Sequence, residues 1–103
     1  MKRIISILGI PTDINSSFVR GAAEAPQKII DQFNSEATNS FSENGLDLAS
    51  KGICNFRGII NLANDKNEFD LIKNSIYQEL KLGKHCISLG GDHSITYPII
   101  KSY

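Results

Sequence analysis

The stretch Leu89-Gly90-Gly91-Asp92-His93-Ser94 holds the densest set of groups able to do chemistry. A neutral imidazole is a good ligand for a divalent transition metal, and a neighbouring carboxylate can orient it or bind nearby. Gly90 and Gly91 permit a tight turn with close backbone approach, so Asp92 and His93 arrive together on a short loop. In open α/β sheets, functional groups collect in the crevice beyond the carboxyl ends of the strands. The apolar residues 86–89 read as a central parallel strand that would deliver the turn at its carboxyl end. Spacing alone leaves three uses open: a structural turn into a helix, an anion site at that helix's N-terminus, or a metal or catalytic site. No Walker lysine or Gly-x-Gly-x-x-Gly fingerprint is present, which argues against nucleotide binding.

The other candidates are weaker. His85 starts the same strand, so a rise of ~3.3 Å per residue puts it about 17–25 Å from His93, too far to share an ion. It is expected at the surface. Arg20, in a loop, could reach an active-site mouth, although a loop arginine is more often a solvated or structural ion-pair partner. Asp13 is expected to hold the following loop through short side-chain-to-backbone hydrogen bonds.

The elements that must position these groups alternate in type. Residues 3–10 are isoleucine-rich and stopped by Pro11, as suits a strand buried on both faces. After a loop over 12–24, Pro26 fits the first turn of a helix whose apolar face is Ile29, Ile30 and Phe33. Residues 34–45 are Ser-, Asn-, Thr- and Glu-rich with no period, a surface loop. Residues 53–62 form a second strand, weakened by its glycines. Phe69, Ile72, Ile76 and Leu80 then recur at helical spacing, Tyr77 widens the stripe, and Gly83 ends the helix. Residues 86–89 are the third strand. Ser94 is placed to cap a last helix carrying Ile95, Ile99 and Ile100, with Pro98 in or near its first turn. Strand and helix alternate three times, which implies a parallel α/β sheet with crossover helices. The last helix has only nine residues after Ser94, and a three-stranded parallel sheet keeps an open edge; both point to sequence missing beyond Tyr103.

Composition removes whole classes. With 11 Lys and Arg against 11 Asp and Glu, no strong field points toward nucleic acid or an anionic membrane. Cys54 and Cys86 lack metal-type pairing and are too few for a disulfide framework, so the chain reads as intracellular and cytoplasmic. Lys2-Arg3 and the following isoleucines, with Ala23-Glu24-Ala25, are similar to a minimal signal peptide. Pro11, Asp13 and Arg20 interrupt that pattern, and a buried first strand explains it better. Nothing approaches the ~20 apolar residues of a membrane span.

The Gly90-Gly91-Asp92-His93-Ser94 run, followed by Ile95-Thr96, closely resembles the Gly-Gly-Asp-His-Ser signature of the ureohydrolase (arginase/agmatinase) family. Gly9-Ile10-Pro11-Thr12-Asp13, Arg20-Gly21-Ala22, Ala25-Pro26 and Ile29 are similar to that family's first strand, loop and helix. The tract Asn39-Ser40-Phe41-Ser42-Glu43-Asn44-Gly45 looks more agmatinase-like than arginase-like. These blocks run through almost the whole chain. The resemblance implies the N-terminal part of a three-layer, parallel-sheet arginase-like fold, with residues 1–103 the leading portion of one domain.

It further implies two manganese ions in the complete site, with His93 a ligand to one of them. Gly90, Gly91, Asp92 and Ser94 would shape the surroundings, and Arg20 would stand near the mouth. In the family a hydroxide activated between the ions attacks a guanidinium carbon, releasing urea and an amine. The family's Asp-x-His-x-Asp and Asp-x-Asp segments are absent from these residues. One histidine cannot assemble a two-metal cluster, so no catalytic residue is assigned and the chain alone is expected to be inactive. The complete protein is expected to be a homo-oligomer acting on a small guanidino substrate. Two other readings stand beside this: a non-catalytic remnant or partner-binding half awaiting a C-terminal complement, and a small anion-binding α/β module.

Overall fold

The computed structural model describes residues 4–50, 52–62 and 67–103. Three parallel strands, β1 (Ile5–Gly9), β2 (Cys54–Ile59) and β3 (His85–Leu89), form one sheet in the order β2-β1-β3. Helix α1 (Ala25–Phe33) packs on one face, while α2 (Glu68–Lys81) and α3 (Thr96–Ser102) pair on the other. The expected alternation holds. Three details differ.

The first strand is shorter than residues 3–10, and Arg3 lies outside the described residues. Its two faces are also unequal. Ser6, Leu8 and Ile10 are buried beneath α2 and α3, whereas Ile5 and Ile7 are only half-buried on the α1 face. The second strand is confined to six residues and carries a bulge in which Arg57 is an extra residue opposite β1: Ile7 pairs with Phe56 but Leu8 pairs with Gly58. Gly58 takes φ 95°, the left-handed region that the inserted residue requires. The third difference is rank: the strand leading to His93 lies at an edge of this sheet rather than at its centre.

The α2 face holds the core. Ile72 and Ile76 are fully buried with Ile10, and Leu62 and Ile95 close the cluster. Spacings of three and four bring Ile72 and Ile76 onto one side of α2, with Leu80 half-buried behind them. The helix begins with Glu68 and Asp70 and ends with Lys81, which suits its dipole. Gly83, at φ 79°, then completes the stop. Its N–H donates to Leu80 O (2.9 Å) and that of Lys84 to Glu79 O (3.2 Å), the crossed pair that satisfies orphan carbonyls.

A charge sits inside this stripe. Glu79 is 5% exposed. It accepts from Ser6 Oγ (2.8 Å), Arg57 Nε (2.7 Å) and Lys84 Nζ (3.0 Å), tying α2 to β1, β2 and the start of β3. Burial opposes its ionisation, but the hydrogen bonds from Lys84 and Ser6 and the charges of Lys84 and Arg57 prevail. Its carboxyl therefore stays below the usual glutamate range. The α1 face is thinner. Ile30 and Pro26 are buried, yet Ile29 and Phe33 of the expected stripe remain more than two-fifths exposed.

Candidate functional site

Parallel strands send their chains out at the same end, and here neighbours diverge. The chain leaving β1 goes to α1 on one face, whereas those leaving β2 and β3 go to helices on the other. Such divergence opens a crevice on each side of the β1 terminus.

The crevice between β1 and β3 has a volume of about 570 Å³ and is lined by Asn15, Phe18, Val19, Asp92, His93 and Ser94, among others. The glycine turn is obligatory there. A Cβ on Gly91, at φ 94°, would lie 2.7 Å from both Ile10 O and Thr12 O, and one on Gly90 would collide with the Ile95 side chain. The backbone of the turn thus rests directly on the end of β1, and Asp92 N–H donates to Thr12 O (2.9 Å).

Asp92 is 8% exposed and acts as the hub of the crevice. Its Oδ1 accepts from Ser94 N–H (2.9 Å) and from Ser94 Oγ, and its Oδ2 accepts from Asn15 N–H (2.9 Å). Asn15 Nδ2 also donates to Ser94 Oγ (3.3 Å). One carboxylate therefore pins the β1–α1 loop to the β3–α3 turn. The expected cap is corrected here: Asp92, not Ser94, caps the 3-10 turn His93–Ile95 that leads into α3. Ser94 is its donor. An anion at this helix start would meet a carboxylate already on the Ser94 amide, which weighs against the anion-module reading. The helix face is corrected too: Ile95 is buried and Ile99 partly so, but Ile100 is 66% exposed.

His93 is exposed, and its imidazole is carried on this clamped turn at the crevice wall. His85 is exposed at the opposite, amino end of β3, as its position required. Asn15 was not singled out by sequence reasoning, and it had no local signal: its partners lie 77 and 79 residues away.

Arg20 stands elsewhere. It lines the crevice between β1 and β2, a volume of about 770 Å³ that includes Thr12, Asp13, Asn61 and Glu68 in its wall. Its Nη1 lies 3.5 Å from Asp13 Oδ1. Asp13 Oδ2 in turn accepts from Gly21 N–H (2.7 Å) and Ala23 N–H (3.4 Å), so Asp13 does shape the loop, at longer range than expected. The Gly21 bond leads the causes that hold Asp13 below the usual carboxylate range, against desolvation and aided by Ala23 and Arg20. The structure thus brings together Gly90, Gly91, Asp92, His93 and Ser94 and leaves Arg20 in the neighbouring crevice. Cys86 faces α2, where burial and then the Glu79 charge push its thiol upward, away from reactivity.

With this geometry in place, likeness to known proteins is informative. A model of the arginase family matches residues 3–103. Mitochondrial arginase 1 of Arabidopsis thaliana is 32% identical over 98% of the chain, which covers 32% of that protein. The N(1)-aminopropylagmatine ureohydrolase of Thermus thermophilus is 27% identical over 96%, covering 34% of it. Among solved structures, arginase from Medicago truncatula superposes with a TM-score of 0.87 at 28% identity, over 98% of this chain and 34% of that one. The agmatine ureohydrolase of Thermoplasma volcanium gives 0.79 at 30% identity, over 99% and 34%. The α/β fold seen here is that of an N-terminal part of these structures, and the chain spans about a third of its relatives' length.

Proposed function

We propose a function from one established premise: the chain belongs to the arginase family. It is the N-terminal portion of a single ureohydrolase domain, and the parent reaction is hydrolysis of an agmatine-like guanidino compound to an amine and urea. The observation that carries this reading is the placement of His93, an exposed imidazole on a clamped Gly-Gly turn at the carboxyl-end crevice. Support for the agmatine-like subtype comes from the 39–45 tract; overall identity does not separate the subtypes, at 30% to an agmatine ureohydrolase and 32% to an arginase.

The donor set fits one position of a manganese centre and not the whole of it. Both oxygens of Asp92 already accept hydrogen bonds, and no group of three or more His, Cys, Asp or Glu among the described residues could hold an ion. When bound, manganese would supply a nucleophile from water near neutral pH. The work of this chain is more limited. His93 offers a ring nitrogen, Asp92 fixes the turn that carries it, and Asn15 fixes the opposite wall. Arg20 is a wall residue of the adjoining crevice. The proposed compartment is the cytoplasm, supported by two free cysteines. Among the described residues no helix is long and apolar enough to cross a membrane.

The test extends the chain after Tyr103 with the sequence that follows the matched region in the agmatine ureohydrolase relative. With manganese and agmatine this chimera should release urea, and His93→Ala should lower the rate at least ~100-fold, since one lost ligand commonly costs more than a lost supporting group. The 103-residue chain alone should release none. Urea release by the chimera that is indifferent to His93→Ala would overturn the assignment.

A further inference from the structure

The chains leaving the sheet diverge on both sides of the β1 terminus, and the proposed reaction uses only one of the two crevices this opens. The other, between β1 and β2, is the larger at about 770 Å³. Its walls come from the β1–α1 loop, the end of β2 and the start of α2. One wall residue, Thr12, is 3% exposed, and its hydroxyl has no hydrogen-bond partner among the described residues. The large majority of buried polar side-chain atoms have a partner, so an unpaired one beside a crevice points to a group that binds there. The backbone shows which crevice that is. Thr12 O accepts from Asp92 N–H on the β3 side, while Thr12 lines the β2 crevice and not the one that holds His93.

The charges in this crevice are of both signs and come from different elements. Arg20 is 65% exposed and makes one ion pair among the described residues, with Asp13 at 3.5 Å, so its fork still has donors for a carboxylate. Asp13 is already committed. One of its oxygens faces that guanidinium, and the other accepts from Gly21 and Ala23 N–H. Glu68, half-buried in the first turn of α2, pairs with no cation among the described residues. Asn61 adds an amide, and Ile14, Ile59 and Ile60 supply apolar wall. One cation and two acids disfavour a simple anion, and the guanidinium disfavours a simple amine. A molecule that carries both a carboxylate and an ammonium suits both signs, and an aliphatic chain suits the isoleucines.

We propose that the β1–β2 crevice is a second binding site, for a zwitterionic amino acid with an aliphatic side chain. Arg20 takes its carboxylate, Glu68 takes its ammonium, and the Thr12 hydroxyl completes the polar contact. The site uses neither His93 nor Asp92, so it stands or falls independently of the metal reading.

Titrating the 103-residue chain with L-leucine, followed by amide chemical shifts, tests this without metal or turnover. Saturable shifts should centre on Thr12, Asp13, Asn61 and Glu68. Two truncated probes resolve the chemistry: 4-methylpentanoate lacks the ammonium, and 3-methylbutylamine lacks the carboxylate. Each should bind at least ~10-fold more weakly than L-leucine, the scale of one lost charge-assisted contact. Arg20→Gln and Glu68→Gln, neither in the core, should each weaken L-leucine by a similar factor. Thr12→Val keeps the shape and removes the hydroxyl, and should weaken binding at least ~3-fold, as one neutral hydrogen bond would. An idle hydroxyl would leave the affinity unchanged. Absence of saturable shifts, a truncated probe that binds as tightly as L-leucine, or an affinity indifferent to any of the three substitutions overturns the proposal.

Discussion

Glu79 and Asp92 are both buried carboxylates, 5% and 8% exposed, and they are satisfied in opposite ways. Glu79 accepts from two cations and one hydroxyl, drawn from β1, β2 and the start of β3. Asp92 accepts from three uncharged donors, all in the loops that leave β1 and β3. The first arrangement holds the sheet to its helix. The second holds two loops to each other and leaves an imidazole free between them. An acid with cationic partners is invested in the fold, and one with amide and hydroxyl partners is invested in the shape of the crevice.

Removing Glu79 tests the first half and carries the largest expected effect. Glu79→Ala leaves the Lys84 ammonium, itself largely buried, beside an empty site. It should cost about 2–4 kcal/mol in a urea melt, less than for a fully buried pair because Arg57 is half-exposed. The same group sets an acid limit. Its folded carboxyl is held below its unfolded value, so its contribution is complete above the ordinary glutamate value of about 4.3 and lost as pH falls through the lower folded value. Melts from pH 7 to pH 3 should show that loss, and the Glu79→Gln variant should flatten it.

Next comes Gly91→Ala, which forces a Cβ toward two backbone oxygens from a left-handed conformation. About 1–3 kcal/mol of destabilisation is expected, with amide shifts centred on Ile10 and Thr12. Asp92→Ala should cost about 1–3 kcal/mol, and its signature is spatial. Residues near Asn15 and Ser94 should gain hydrogen exchange while the α2 core stays protected. Exchange that spreads through α2 would erase the distinction between the two acids. Smallest is His93→Ala, within about 0.5 kcal/mol of the unmodified chain, because an exposed side chain on a held turn contributes little to stability.

Most of the fold was legible because its signals are local. The helical stripe of Ile72 and Ile76, the Gly83 stop and the glycine turn after residues 86–89 each depend on neighbours within a few positions. What escaped the sequence was long-range. The Arg57 bulge depends on how β2 meets β1, and the edge position of β3 on the order of strands. Asn15 acquires its role only when a residue 77 positions away arrives beside it. Ser94 was favoured as the cap because it precedes Ile95, but Asp92 wins by reaching two residues forward to the Ser94 amide. Glu79 did have a signal: an acid three residues after Ile76 and seven after Ile72 falls on the buried side of its helix.

On the proposed function, this chain presents one ligand, His93, to a metal centre that other residues must complete. Titrating aqueous manganese by electron paramagnetic resonance tests it directly. The free-ion signal should keep its amplitude as the 103-residue chain is added, and should be extinguished by the extended chimera but less so by its His93→Ala variant. Stoichiometric loss of the signal with the chain alone, or a chimera that binds equally well without His93, would contradict it.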